Sequence, residues 1–197
     1  MSTRPDFSVL GSTVYACEET VNFLKPKLEG GLDDIDKVQV VERHIGRFDK
    51  EEDLKRWMSN RDGGVRVAAL RVSNYDNIGG RVIGTVEFAA YIFTADQWGY
   101  SKDTRAEVIA GKLVKAMFGR TAPPTAYGKA QAFRADNMYS GSIDKKGVAI
   151  WVVTWRQDWY LDEPIDLTTL NDFETFGLTG ELDENSPKIE GEVQLPQ

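Results

Sequence analysis

Residues 81–94 read RVIGTVEFAAYIFT, and this long apolar stretch decides the predicted fold. Successive side chains of a strand point to opposite faces of the sheet, and here both alternating sets are largely apolar. One set is Val82, Gly84, Val86, Phe88, Ala90 and Ile92, and the other is Ile83, Thr85, Glu87, Ala89, Tyr91 and Phe93. A strand that is covered on both faces lies inside a sheet. The stretch therefore predicts a central strand that needs strand neighbours and covering helices.

Strands are predicted on either side of this stretch in the sequence. Residues 65–73 form a strand that a loop rich in turn formers, 74–80, joins to the central strand as an antiparallel hairpin. Residues 129–138 and 148–160 form a second hairpin around a turn region at 139–147. An additional strand is predicted at 38–45. Trp151, Trp155 and Trp159 recur at every fourth residue of 148–160, so they fall in one row on one face.

Three helices are predicted from apolar stripes and capping residues. The first covers 12–25 and ends at Pro26, and Cys17 on its stripe is predicted to be a core thiol. The second, 49–59, starts with Asp49 as cap. The third covers 103–118 and is followed by Gly119, with Phe118 widening its buried stripe.

The order α-β-α-β-β-α-β-β predicts an α+β fold. It is a mainly antiparallel sheet of two hairpins plus an additional strand, with helices packed on it. We assign residues 1–161 to a single domain and 162–197 to an acidic C-terminal extension that is partly ordered at best. That extension has ten acidic residues and one basic residue, whereas the whole chain carries a net charge of −7.

Composition excludes several classes of function. The chain of 197 residues has one cysteine, so no disulfide can form within it, and no apolar stretch approaches the ~18 residues of a membrane span. The N-terminus lacks an apolar core of signal-peptide length, so we expect synthesis in the cytoplasm. No clustered basic face indicates direct nucleic-acid binding, because Lys145 and Lys146 alone are too few for a phosphate track.

The residues that carry chemistry are sparse. His44 is the only histidine, which excludes sites built from two histidines of one chain, and zinc sites lack ligands. Gly79-Gly80 lies in a hairpin, so a turn with positive φ explains it better than a nucleotide-binding fingerprint. We predict no enzyme, no catalytic residue, no metal and no cofactor. The alternatives from other classes are a small metal-dependent hydrolase and a binding module that uses its acidic tail.

Exposed aromatic and charged side chains at loops and strand ends are candidate interface residues. For Trp98 we favour the alternative that its ring folds back over its own core. The candidates are Trp98, Tyr100, Met138, Tyr139, Lys145, Lys146, Trp159 and Tyr160.

Five segments together resemble the tail-terminator (tail-completion) proteins of contractile-tailed, Mu-like bacteriophages. They are VAALRV at 67–72, TVEFAAYIF at 85–93, DTRAEVIAGKLV at 103–114, WVVTWRQDW at 151–159 and DLTTLNDF at 166–173. The chain departs from the family in a longer loop at Asn74 and in the acidic extension after Gly177.

The resemblance implies a structural virion protein located in the tail or neck. Such proteins form a ring, usually a hexamer, that caps the head-proximal end of the tail tube, stops tail polymerisation and offers a docking surface for the head or neck. The implied partners are further copies of the chain, the tail tube protein, a neck or connector protein and, as a further candidate, the tail sheath. A neck or head–tail connector subunit is the alternative within virion assembly.

Overall fold

The computed structural model of the chain describes residues 7–45, 63–138, 141–164, 175–180 and 189–194. The predicted helix at 49–59, the segment 166–173 and the candidate Tyr139 lie outside these residues. Two compact units divide the chain, Met1–Glu163 and Pro164–Gln197.

The first unit contains three helices and five strands among its described residues. The helices are α1 (Thr13–Leu28), α2 (Lys102–Met117) and α3 (Gly141–Asp144); the strands are β1 (Val40–Arg43), β2 (Gly64–Ile78), β3 (Arg81–Ala95), β4 (Gln131–Asn137) and β5 (Val148–Tyr160). The second unit contains an antiparallel pair, β6 (Thr175–Gly180) and β7 (Ile189–Gln194), in which Phe176 is opposite Val193. No helix in the described parts of the chain has the length and apolar character to cross a membrane.

The five strands form one mixed sheet in the order β1-β2-β3-β5-β4. β1 runs parallel to β2, and the other neighbouring pairs are antiparallel. The β3–β5 register is unbroken from Ile83 opposite Tyr160 to Ala95 opposite Val148. The predicted α+β fold with a mainly antiparallel sheet is therefore confirmed, and β3 is its central strand.

The core lies on both faces of the sheet, as the apolar pattern of β3 requires. On one face, α1 and α2 cover residues from the central strands, among them Phe88, Ile92 and Trp155. The opposite face has a smaller cluster that includes Tyr91 and Ile150. Phe88 and Trp155 stack with ring centroids 5.2 Å apart, which places the aromatic row of β5 under the helices.

The hairpin between β2 and β3 differs from its prediction. β2 continues to Ile78 and ends in a two-residue turn in which Gly79 and Gly80 both have positive φ. The expected loop at 74–78 is strand instead, because register shifts absorb its turn-forming residues and Asn74 takes a φ of 51°. The glycine pair thus serves the hairpin turn, as its sequence context predicts.

Helix α1 also runs farther than predicted. It continues through Pro26 to Leu28, and the N–H of Glu29 still donates to the Lys25 carbonyl at 2.8 Å. A proline in the last turn removes only one donor near the helix end, and the buried Leu28 provides packing that extends the helix past it.

Candidate interaction surface

The chain reverses direction between β3 and α2 in a tight turn, residues 97–100, which we call the aromatic turn. Gln97 and Tyr100 exchange two backbone hydrogen bonds of 3.1 and 2.9 Å. The two central residues, Trp98 and Gly99, have φ values of 51° and 81°. A left-handed backbone suits glycine but is strained for tryptophan, so the surrounding contacts must hold Trp98 there.

Trp98 is on the surface, with 70% of its area exposed, and Tyr100 is 51% exposed. The indole N–H of Trp98 donates to the Leu32 carbonyl at 3.0 Å, and the Gln97 side-chain amide donates to the same oxygen at 2.9 Å. The expectation that Trp98 folds over its own core is wrong, because the indole hydrogen bond holds the ring at the surface, beside the exposed Leu32.

A buried arginine holds the base of the aromatic turn. Arg105, in the first turn of α2, donates to the carbonyls of Ile35, Lys37 and Ala95 at 2.9, 3.2 and 2.8 Å. These bonds join three segments: the loop before β1, the end of β3 and the start of α2. Nothing in the apolar periodicity of α2 predicts this role, because Arg105 is a polar residue on a buried face.

Two further polar contacts fix the same region. Lys112 of α2 forms an ion pair and hydrogen bond with Asp36, and this hydrogen bond holds the pKa of the Asp36 carboxyl below its usual value. The Asp96 carboxylate accepts a hydrogen bond of 2.7 Å from the N–H of Lys102 at the start of α2. Hydrogen bonds and an ion pair therefore connect the segments on both sides of the aromatic turn.

The tip of the β4–β5 hairpin lies next to the start of α2. Asp144 pairs with Lys102 at 3.0 Å, and this carboxylate raises the pKa of the lysine. Near the tip Met138 is exposed, and its N–H donates to the Ile150 carbonyl at 2.9 Å. Lys145 is exposed and Lys146 is partly buried. The Lys102–Asp144 pair thus joins the hairpin tip to the helix that follows the aromatic turn.

Trp159 and Tyr160 lie at the other end of the sheet. Their strand partners, Gly84 and Ile83, are more than ten residues from Ala95, so roughly 35–40 Å of strand separates them from the aromatic turn. Trp159 is 1% exposed, so the expectation that it is at the surface is wrong.

The connector before β4 explains this burial. The N–H groups of Tyr127 and Gly128 both donate to the Asp158 carbonyl at 3.0 Å, so the connector covers this end of β5. Tyr160 is partly buried, between the Tyr127 ring at 5.3 Å and the Arg81 guanidinium at 4.3 Å.

A second surface, absent from the sequence-based candidates, is a groove between α2 and the edge of the sheet. We call it the α2–β4 groove; it is lined by Glu107, Ala110, Gly111, Val114, Lys115, Phe118, Ala135 and Trp151. Phe118 is 64% exposed, so its predicted place on the buried stripe is wrong. α2 ends at Met117 and Phe118 has extended backbone angles, which turn it off the helical repeat.

The side chains that could carry chemistry, Cys17 and His44 among them, are packed within the fold. Within the described residues, no group of three or more His, Cys, Asp or Glu side chains could hold a metal ion. Cys17 is buried, its Sγ is 3.1 Å from the Val67 carbonyl, and burial raises its pKa to about 12. The thiol therefore stays protonated, as predicted for a core cysteine. His44 follows β1 and meets the Tyr91 ring edge-on at 6.3 Å.

No protein-family model matches the chain, and no curated protein matches it. Among solved structures, the chain is similar to the sheath/tube terminator of the extracellular contractile injection system PVC, determined by cryo-EM in the extended state. The sequence identity is 11% and the TM-score is 0.28. The similarity covers 83% of this chain and 60% of that one, so this chain spans less than two thirds of the length of the PVC subunit.

Proposed function

We propose that this chain is a structural subunit of a contractile tail, a tail terminator whose copies form a ring on the head-proximal end of the tail tube and stop its polymerisation. The observation that carries the proposal is the aromatic turn. Trp98 and Tyr100 are exposed there on a strained backbone that Arg105 and the Leu32 carbonyl hold in place.

An exposed aromatic pair in which the Trp98 ring is hydrogen-bonded in place suits the centre of a protein–protein interface. Tryptophan and tyrosine are enriched among the residues that dominate binding energy. A side chain that is already ordered loses less conformational entropy on binding, so rigidity increases affinity. Because the Trp98 ring is 70% exposed, its burial against the described residues offsets little of the backbone strain.

The terminator assignment is supported by where the resembling segments fall. Those at 67–72, 85–93 and 151–159 lie within β2, β3 and β5, and the one at 103–114 lies within α2. These elements are the three inner strands of the sheet and one of the two long helices on it. The proposed partners are copies of the chain, the tube, a neck protein and the sheath, and the proposed role is assembly without catalysis.

The proposal can be tested on tail tubes that were assembled without a terminator. Purified chain is added, and tube length and tube-end occupancy are measured by electron microscopy. We expect a ring at one end of each tube and an end to elongation. Trp98→Ala should reduce occupancy, whereas Tyr75→Ala should not, because Tyr75 is similarly exposed but belongs to the distant β2–β3 hairpin. Bare ends and continued elongation with the wild-type chain would refute the proposal.

A further inference from the structure

We propose that the α2–β4 groove of one copy receives the aromatic turn of the next copy, so that subunits join head to tail. This inference rests on the proposed function, because it names the two surfaces through which the ring would close. It commits the groove to one occupant, a second copy of this chain.

The groove is open to the surface of this unit. It has a volume of about 530 Å³ and is lined mainly by apolar side chains, with Glu107 and Lys115 as the charged exceptions. Gly111 lies in the middle of α2, where glycine destabilises a helix relative to alanine. Beyond its own turn of helix, a Cβ at Gly111 would meet no atom of the described residues within 4 Å, so packing among these residues does not require glycine there. A partner that approaches the helix closely would require it.

Aromatic packing makes the groove rigid before any partner arrives. The Phe118 ring lies 5.8 Å from the Phe133 ring of β4, which in turn stacks on Trp155 at 6.1 Å. Trp155 is fully buried, so the groove wall is continuous with the core of the sheet. An incoming aromatic ring would therefore meet a fixed apolar wall.

The aromatic turn cannot fill the groove of its own subunit. It precedes the N-terminus of α2, whereas Gly111 and Val114 lie roughly 14–18 Å farther along the helix at 1.5 Å per residue. The hydrogen bonds to the Leu32 carbonyl hold the turn at its own end. Two complementary surfaces at different places on one chain define a heterologous contact, which generates a ring when the rotation closes.

The size of the contact suits an anchor within a larger interface. A fully buried aromatic side chain covers about 150–250 Å², and Trp98 and Tyr100 are 70% and 51% exposed, so together they supply roughly a quarter to a third of the ~800 Å² that each partner buries in a standard interface. Among the described residues β4 is an edge strand of the sheet, and through Ala135 it borders the groove and offers further contact area.

Two complementary variants test the contact in the full-length chain. Trp98→Ala removes the insert, Gly111→Leu fills the groove, and Val108→Leu is the matched control because Val108 is exposed on α2 outside the groove. Self-association is measured by sedimentation velocity. We expect each of the first two variants to lose affinity by about thirtyfold, the effect of removing an interface hot spot, and the control to behave like the wild type.

Mixing the two variants separates a head-to-tail contact from a two-fold one. Each variant retains one intact surface, so the mixture should form one-to-one heterodimers and no rings. Wild-type affinity in both single variants would overturn the inference, and so would the absence of heterodimers in the mixture.

Disulfide trapping covers the case in which the association is weak. Cysteines replace Gln97 at the aromatic turn and Lys115 at the groove, and Cys17 is buried and does not interfere. With a mild oxidant, the double variant should give a ladder of covalent oligomers, whereas Gln97→Cys with Val108→Cys should stay monomeric. No ladder, or dimers of the Gln97→Cys single variant, would contradict the inference. If Gly111→Leu self-associates and caps tubes like the wild-type chain, the inference fails and the proposed function stands; if the wild-type chain leaves tube ends bare, the proposed function fails.

Discussion

Replacing Arg105 with methionine should remove the hydrogen bonds that hold the aromatic turn against the loop before β1 and the end of β3. The buried guanidinium donates to three backbone carbonyls, those of Ile35, Lys37 and Ala95. A hydrogen bond from a charged donor contributes about 1.5–3 kcal/mol net, and a carbonyl that is buried without a donor adds a penalty. Part of this loss is offset because methionine no longer buries a charge. We therefore expect Arg105→Met to lower the free energy of unfolding by about 3–5 kcal/mol.

Urea denaturation followed by circular dichroism measures this change, since the midpoint shifts in proportion to the lost stability when the slope is unchanged. The control is Arg134→Ala. Arg134 is an exposed residue of β4 whose ion pair with Asp136, at 2.7 Å, should be worth less than about 1 kcal/mol. If Arg105→Met lowers the free energy of unfolding no more than Arg134→Ala does, the stabilising role assigned to the Arg105 hydrogen bonds is refuted.

Three further predictions address the core, the groove and the response to acid. Trp155→Ala should cost about 3–5 kcal/mol of unfolding free energy because it opens a cavity in the core, whereas Phe118→Ala should cost far less; similar losses in thermal melts would contradict the assigned burial. Gly111→Ala should raise the free energy of unfolding by about 0.5–1 kcal/mol while weakening self-association, and a destabilised variant would show that the site is not open. The Arg81 hydrogen bond holds the pKa of Asp162 below its usual 3.8, so the stabilisation is present above pH 3.8 and is lost as the pH falls through the folded value. The stability advantage of the wild type over Asp162→Asn should shrink correspondingly in acid denaturation, and a constant difference would refute the pairing.

The two long strands that are apolar on both faces could be predicted nearly to the residue. β5 has its predicted bounds, Val148–Tyr160, and β3 exceeds its prediction by one residue, because each has two clear apolar faces over a long run. Short-range signals were weaker where tertiary contacts compete with them. Turn-forming residues continue β2 to Ile78 through register shifts, and Pro26 sits inside α1.

The sequence predicts the residues of the aromatic turn but not the α2–β4 groove. Trp98 and Tyr100 could be selected as aromatic loop residues, but the exposure of Trp98 depends on the carbonyl of Leu32, which is far away in the chain. The α2–β4 groove could not be found, because α2, β4 and β5 supply its lining and meet only in the folded sheet. Trp159 was misplaced for the same reason, since the connector that covers it has no apolar periodicity of its own.

Cryo-EM of the wild-type chain bound to terminator-free tail tubes tests the central claim most directly. The account predicts a closed ring at one tube end, in which Trp98 of each copy lies within about 4 Å of the Phe118 ring of its neighbour. Tube ends without a ring, or bound subunits that do not contact one another, would contradict it.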